Sequence, residues 1–317
     1  MNPMIFREYD IRGIVDKDLT DEVVNNIGKA YGSLIRRKGF KKVSIGGDCR
    51  LSTERFRSVL IDGIRSTGCD VINIGTCTTP ILYFSLHTLD VDGGIMITGS
   101  HNPANFNGFK ISIGKNSLHG EGIQKIREVI ESDDFETGEG TVSDYDIVSE
   151  YQKSMIERFS FDAPPAVAVD AGNGTGGEVF IPILKELGVP VVALNCTMDG
   201  TFPNHHPDPT VEKNLESLIQ TVKEQQLDLG IAFDGDSDRI GAVNEKGEII
   251  WGDKLMILYS RDILEKHPGA TIISEVKCSK HLYDDIKKHG GNGIMWKTGH
   301  SLIKAKMKDE NAALAGE

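Results

Sequence analysis

The sequence predicts an α/β protein of three similar units, each a mixed or mostly parallel sheet with helices, the third incomplete. Three observations carry that expectation. Short apolar strands alternate with amphipathic helices almost throughout, the rhythm of βαβ connections that cover both faces of a sheet. The pattern restarts near residues 166 and 271. Each opening strand also runs into a polar or glycine segment: Gly47-Asp48-Cys49-Arg50, Asp170-Ala-Gly-Asn-Gly174 and Glu275-Val-Lys277-Cys-Ser279.

Taken in order, Thr20 caps a helix whose apolar face is Val23, Val24, Ile27, Tyr31, Leu34 and Ile35, and Gly39 ends it. A strand at 42–45 follows, then a helix over about 52–67 stopped by Gly68, and a strand at 71–74. Thr79-Pro80 reads as a cap with proline at the first helical position. The acidic, glycine-containing stretch 133–146 closes the first unit, and a helix at 149–159 with Pro164-Pro165 introduces the second. There the strand 166–169 leads through a glycine loop to a helix at 178–187 and a strand at 190–194. A hairpin at 242–251, turning at Glu245-Lys246-Gly247, separates the second unit from the third. Strand 271–276, helix 279–289 and strand 293–296 begin the third; helix 301–310 leads to a last strand at 312–317. The implied division is 1–147, 148–250 and 251–317.

Composition narrows the function classes. A net charge of -12 argues against a broad nucleic-acid face and against anionic membranes. No apolar stretch is long enough to span a bilayer, and the N-terminus has no signal-like pattern. The cysteines (49, 69, 77, 196 and 278) are odd in number and form no CxxC pair, which fits a reducing cytoplasm. Nothing in the sequence reads on oligomeric state.

The chemistry centres on Asp234-Gly-Asp236-Ser-Asp238-Arg239, placed directly after the apolar run 227–233. Three carboxylates at alternate positions repel one another unless a cation joins them. An all-oxygen set suits Mg²⁺ or Ca²⁺ rather than zinc. Asp234, Asp236, Asp238 and Glu245 match an EF-hand at positions one, three, five and twelve, but Arg239 replaces the required glycine and the flanks read as strands. Arg239 has the chemistry to bind a phosphate oxygen or to pair with those aspartates. Ser100, in Thr98-Gly-Ser-His-Asn-Pro103, is a phosphoryl acceptor or a local turn former. His101 beside it invites a Ser-His reading, although adjacent side chains rarely face each other. Lys110 is a candidate acid/base or phosphate ligand, its plain alternative being an edge-strand lysine. Arg12 is a phosphate ligand or a surface charge. His205-His206 are poor zinc chelators without further ligands. Finally, Gly172-Asn-Gly174-Thr-Gly-Gly177 matches G-x-G-x-x-G and supports a rival, an NAD-dependent oxidoreductase. No acid ends the following strand to bind a ribose, since Asp199 lies beyond it.

Phe6-Arg-Glu-Tyr-Asp-Ile-Arg-Gly13, the Ser100 and Asp234 motifs, Asn107-Gly-Phe-Lys110 and Lys297-Thr-Gly-His-Ser301 together resemble the α-D-phosphohexomutase family, nearest its bacterial phosphomannomutase/phosphoglucomutase branch. The resemblance runs the length of the chain and implies three related α/β domains: a phosphoserine domain, a metal-binding domain and a partial sugar-recognition domain. The family's fourth domain is absent from the chain. It implies reversible 1,6-phosphoryl transfer on mannose and glucose phosphates through a phosphoserine and a bisphosphate intermediate. Ser100 carries the phosphoryl group; Asp234, Asp236 and Asp238, with an oxygen on Ser100, hold Mg²⁺. Arg12, Lys110 and Arg239 stabilise the transferring group, and Lys110 or His101 moves a proton. Tyr9, Lys277, His300 and Glu317 contact the hexose phosphate. Glucose or mannose 1,6-bisphosphate is the activator. The alternative within this frame is a non-catalytic fragment that binds Mg²⁺ and sugar phosphate.

Overall fold

Thr20 opens the first long helix as its spacing predicts: its hydroxyl accepts a hydrogen bond from the Val23 N–H. Helix α1 spans Asp21–Arg37 and buries Val24, Ile27, Tyr31 and Ile35. The computed structural model describes all residues, 1–317. They form two compact units, Met1–Glu248 and Ile249–Glu317.

In the first unit, strands β1 (Ile11–Ile14), β2 (Lys42–Gly47), β3 (Asp70–Thr76), β4 (Gly93–Ile97), β5 (Phe106–Ile113), β6 (Asn116–Ser117) and β7 (Val142–Asp144) build one sheet. Its order is β1-β5-β4-β2-β3-β7, with β6 attached to β5. Strands β7, β3, β2 and β4 are parallel, whereas β5 is antiparallel to both of its neighbours. The acidic stretch expected only to close the unit thus supplies the edge strand β7. Helices α1, α2 (Thr53–Arg65) and α4 (Glu121–Glu131) cover one face, where Tyr31, Phe56, Leu60, Phe109, Ile111 and Ile126 share a core. Strand alternation turns Lys110 away from Phe109 and Ile111, toward the other face. Because β5 lies between β1 and β4, Lys110 is not an edge-strand residue. Sequence alone does not report strand order, so that alternative fails on topology.

Helix α3 (Thr79–Thr88) corrects the expected cap by one residue. Thr78 is the N-cap, its hydroxyl accepting from the Ile81 N–H, and Thr79 is the first helical residue. Thr79 is thereby free for a distant partner. Helix α5 (Ile147–Ile156) likewise starts earlier than expected, because Asp146 caps it through the Ser149 N–H.

A second sheet in the same unit runs β11-β10-β8-β9, from β8 (Val167–Asp170), β9 (Val191–Leu194), β10 (Leu229–Phe233) and β11 (Ile240–Asn244). Helices α6 (Gly176–Glu186) and α7 (Glu216–Glu224) belong to it. Strands β8, β9 and β10 are parallel; β11 returns antiparallel, with Phe233 opposite Ile240. The acidic loop therefore joins two neighbouring strands at the carboxyl end of β10, where open α/β sheets bind ligands.

Asp170, at the end of β8 and almost fully buried, accepts from the Gly172 N–H, Asn195 Nδ2 and His205 Nε2 (3.0 Å). His205 is thus anchored to a carboxylate. The Asp170 hydrogen bond raises the His205 pKa above 6.5 against the opposing effect of burial. Its contribution to stability is complete below 6.5 and is lost as pH rises through the higher folded value. Urea midpoints followed upward from that pH are expected to fall more steeply for the unaltered protein than for His205→Gln; parallel curves would remove this pair from the account.

The second unit begins with the short strand β12 (Ile249–Ile250) and helix α8 (Gly252–Lys266). Strands β13 (Thr271–Glu275), β14 (Asn292–Trp296) and β15 (Leu314–Gly316) pair in parallel, in the order β14-β13-β15. Helices α9 (Lys280–Lys288) and α10 (His300–Asp309) complete it. Its core includes Met256, Leu264, Ile272, Leu282 and Ile286. No helix is long and apolar enough to cross a membrane.

Candidate active site

Ser100 follows β4 in a left-handed conformation, with φ of 47°, and is 3% exposed. That region is costly for a residue with a side chain, and such strain concentrates at functional turns. The local turn considered for Ser100 is made instead by Thr98, whose hydroxyl accepts from the Ser100 N–H at 2.8 Å. The Ser100 hydroxyl is left for chemistry. It donates to Asp234 Oδ2 at 2.7 Å and lies 3.1 Å from His101 Nδ1. Adjacent side chains do face each other here, contrary to the usual expectation, because the positive φ folds the chain back.

The acidic cluster reaches this serine from the other sheet. Ligand atoms of Asp234, Asp236 and Asp238 all lie within 4.8 Å of one another. Asp234 Oδ1 accepts from the N–H groups of Asp238 and Arg239, each at 3.1 Å, which fixes the loop around it. Lys110 Nζ is 2.6 Å from both Asp236 Oδ2 and Asp238 Oδ2. Thr79 donates its hydroxyl to Asp236 Oδ2 at 2.5 Å and its N–H to the Asp236 carbonyl at 2.9 Å. Glu245 sits exposed in the hairpin turn, outside the cluster.

Electrostatics separate the members. Burial, then Asp236 and Asp238, push the Asp234 carboxyl well above its usual range. Burial acts the same way on Asp236, but Lys110 and the hydrogen bonds from Lys110 and Thr79 outweigh it and hold its pKa low. Lys110 is pushed up by Asp236 and Asp238 in spite of burial, so it stays an ammonium ion. His101 moves down to about 4, through burial and then the charges of Arg239 and Arg12, and is therefore a neutral imidazole. Asp236 Oδ1 is buried without a hydrogen-bond partner. An orphaned carboxylate oxygen among converging acids is the donor a hard divalent cation satisfies. The residues present fit such an ion.

The glycine motif at 172–177 serves this loop. Thr175 donates its N–H and its hydroxyl to the Gly235 carbonyl at 3.1 and 3.2 Å. A Cβ at Gly174 would lie 2.7 Å from that same oxygen. Close approach of one loop to another explains the glycines, and the strand after them ends in Asn195, which bonds Asp170. The nicotinamide reading finds no support.

Arg12, on β1 and 6% exposed, donates Nη1 to the Gly99 carbonyl at 3.0 Å and pairs through Nη2 with Asp10 at 2.5 Å. It is therefore a buried residue of the Ser100 loop rather than a surface charge. Arg239 makes no ion pair with the aspartates beside it; only its N–H engages Asp234. Tyr9 lies in the bend before β1.

Within the second unit, Lys277, His300 and Glu317 follow the carboxyl ends of β13, β14 and β15 in turn. Glu275 is 4% exposed, stands 3.4 Å from Lys277 Nζ, and accepts from the Thr298 hydroxyl. The Gly299 N–H donates to Glu317 Oε1 at 2.5 Å, and His300 begins α10.

Against known families, phosphoglucomutase/phosphomannomutase alpha/beta/alpha domain I matches residues 3–137, domain II matches 149–247 and domain III matches 251–317. The chain belongs to the phosphoglucomutase/phosphomannomutase family. Among its relatives, the phosphomannomutase/phosphoglucomutase of Pseudomonas aeruginosa is 46% identical over 313 residues, covering 99% of this chain and 68% of that protein. A phosphoglucomutase of Neisseria meningitidis is 44% identical over 315 residues, with the same two coverages of 99% and 68%. The crystal structure of a phosphoglucomutase/phosphomannomutase family protein from Burkholderia thailandensis superposes with a TM-score of 0.98 at 40% identity, over 100% of this chain and 71% of that one. An N-acetylphosphoglucosamine mutase of Aspergillus fumigatus, solved with GlcNAc-6P and magnesium, shares the fold alone: TM-score 0.57 at 17% identity, over 87% of this chain and 48% of that one.

Two residues that shape this site escaped the sequence reading, Thr79 and Thr98. A threonine near a helix start reads as a cap, and one after a strand reads as a turn residue. Neither carries a local sign that Asp236, far along the chain, or the Ser100 N–H is its partner.

Proposed function

We propose that the chain performs reversible 1,6-phosphoryl exchange on hexose monophosphates of the mannose and glucose type. One observation carries the reading: a strained, buried serine on one sheet hydrogen-bonds an acidic cluster on another, with a lysine ammonium across the same acids. Mg²⁺ held by Asp234, Asp236 and Asp238 would supply neutralisation of the negative charge on a phosphoryl group carried by Ser100.

In the forward half, a free hydroxyl of the hexose monophosphate attacks the phosphorus on Ser100. A new P–O bond forms, the P–Oγ bond breaks, and its electron pair returns to Oγ, which takes up a proton. The product is a hexose 1,6-bisphosphate. After it turns over, Ser100 Oγ attacks the phosphorus of the other phosphate: an Oγ–P bond forms, the P–O bond to the sugar breaks with its electron pair left on the sugar oxygen, which takes up a proton, and the Oγ proton is received by His101 Nδ1 or by Asp234. The low pKa of His101 keeps that nitrogen unprotonated. Lys110, paired with Asp236 and Asp238, stabilises the transferring group and is a second candidate to move the proton. Arg12 Nε is buried without a partner and suits a phosphoryl oxygen on the adjacent loop. Arg239 offers a second guanidinium. Tyr9, Lys277, His300 and Glu317 contact the sugar phosphate, and glucose or mannose 1,6-bisphosphate primes Ser100. Three domains over 1–147, 148–250 and 251–317, and a cytoplasmic setting, complete the proposal.

Intact-mass analysis after incubation with glucose 1,6-bisphosphate and Mg²⁺ tests it. One phosphoryl group on Ser100 is expected; no label, or label elsewhere, ends the proposal. Asp236→Asn removes one ligand charge and should weaken Mg²⁺ binding by at least about tenfold, measured by titration calorimetry. Equal affinity in both proteins would take the loop out of the metal site.

A further inference from the structure

The strand end Asp48-Cys49-Arg50 lies outside every role assigned above, yet its arginine is buried with all its donors used. The Arg50 side chain is 0% exposed and that of Asp48 1%. Arg50 Nε donates to Asp48 Oδ2 at 3.2 Å. Nη1 donates to the carbonyls of Pro103 (2.6 Å) and Phe106 (2.9 Å), and Nη2 to those of Ser100 (2.7 Å) and Asn102 (2.6 Å). A guanidinium has five N–H donors in a rigid fork, and each one here has a partner. Asp48 closes the ring by accepting from the Gly99 N–H at 3.1 Å and from the Thr53 hydroxyl at 2.7 Å. Gly99 has no room for a side chain, since a Cβ there would lie 2.4 Å from Arg50 Cζ.

We infer that Arg50, oriented by Asp48, is a positioning residue that holds the Ser100 loop in its left-handed, cluster-facing conformation. The inference rests on the phosphoryl-carrier reading of Ser100. Four carbonyls turned toward one guanidinium fix the peptide planes from Ser100 onward, and Asp48 holds the Gly99 N–H just before it. Drawing the Ser100 carbonyl inward sets the direction of its hydroxyl. A lysine cannot reproduce this, because its point charge lacks the planar fork.

A second observation shows the clamp is sealed. The Phe202 ring lies 5.1 Å from Arg50 Cζ. Phe202 has φ of 52°, an unfavourable conformation for an aromatic residue, and it precedes Pro203. Gly200 brings this loop onto the backbone of Cys49, Arg50 and Leu51, where a Cβ would lie 2.4 to 2.8 Å from main-chain atoms. Strain kept in a covering residue is expected where the covered group must stay dry, because water would compete for its carbonyl partners.

The test compares the unaltered protein with Arg50→Lys and with the isosteric Asp48→Asn. Amide hydrogen exchange at Ser100 and Asn102 is expected to speed by about a hundredfold in Arg50→Lys, and by less in Asp48→Asn, while α1 exchanges as before. Labelling of Ser100 by glucose 1,6-bisphosphate should slow by about a hundredfold, far more than Mg²⁺ affinity falls, because three of the ion's ligands stand on another loop. Uniform loss of protection across the fold, a fall in Mg²⁺ affinity as large as the loss of labelling, or unaltered exchange in the loop would each overturn the inference. If the unaltered protein takes no label, the carrier reading fails by itself, and the exchange data still decide what Arg50 does.

Discussion

Ser100→Ala is expected to abolish covalent phosphorylation of the chain by a hexose 1,6-bisphosphate while leaving the fold intact. The loss should be to background, because the other hydroxyl hydrogen-bonded to an acid of the cluster belongs to Thr79, the fully buried first residue of α3. Thr79 already donates to Asp236 at 2.5 Å and cannot approach a substrate without unwinding the helix start. Stability should fall by about 1–3 kcal/mol, because the buried Asp234 Oδ2 loses its Ser100 donor. Phosphopeptide mapping gives the sharp result: phosphate on Thr79 in the variant would show that the cluster, rather than the serine, selects the acceptor.

The second large effect is expected from Lys110→Met. Lys110 is the cation paired with Asp236 and Asp238, and both Asp234 and Asp236 are 0% exposed. Removing one partner from a buried pair leaves an uncompensated charge, which costs about 3–5 kcal/mol. Urea denaturation in chelator measures it. Addition of Mg²⁺ should return much of the loss, since an ion that binds only the folded state stabilises it. The contribution of Asp236 to the pH dependence should also change sign. In the unaltered protein Asp236 has a lowered pKa, so its contribution is present above the ordinary value of 3.8 and is lost as pH falls through the lower folded value. Without Lys110, burial and the neighbouring acids dominate, and the folded pKa values rise. The variant then gains stability as pH falls toward that raised range. A Lys110→Met protein that loses stability on acidification like the parent would show that Lys110 is not the counter-charge.

Much of this protein was legible in its residues. The acid loop declares its chemistry within six positions, because a ligand set of one element type depends on composition and close spacing rather than on distant parts of the chain. Helix α1 was legible for the same reason: its cap, apolar face and terminal glycine are local. The missing acid after β9 already weakened the nicotinamide rival, which the packing of the glycine loop on Gly235 then left without support. The EF-hand was excluded by Arg239 in the place of a glycine and by flanks that read as strands.

What only the tertiary structure decided were choices among long-range partners. Sequence could not tell that β5 runs between β1 and β4, so Lys110 read equally well as an edge lysine. The left-handed turn at Ser100, which brings His101 Nδ1 to 3.1 Å, depends on carbonyls drawn toward Arg50 from another strand end. Thr79 reaches Asp236 across a sequence separation of 157 residues. In each case the local propensity admits several conformations of similar energy, and the winner is set by a buried polar group that must find a partner once water is excluded.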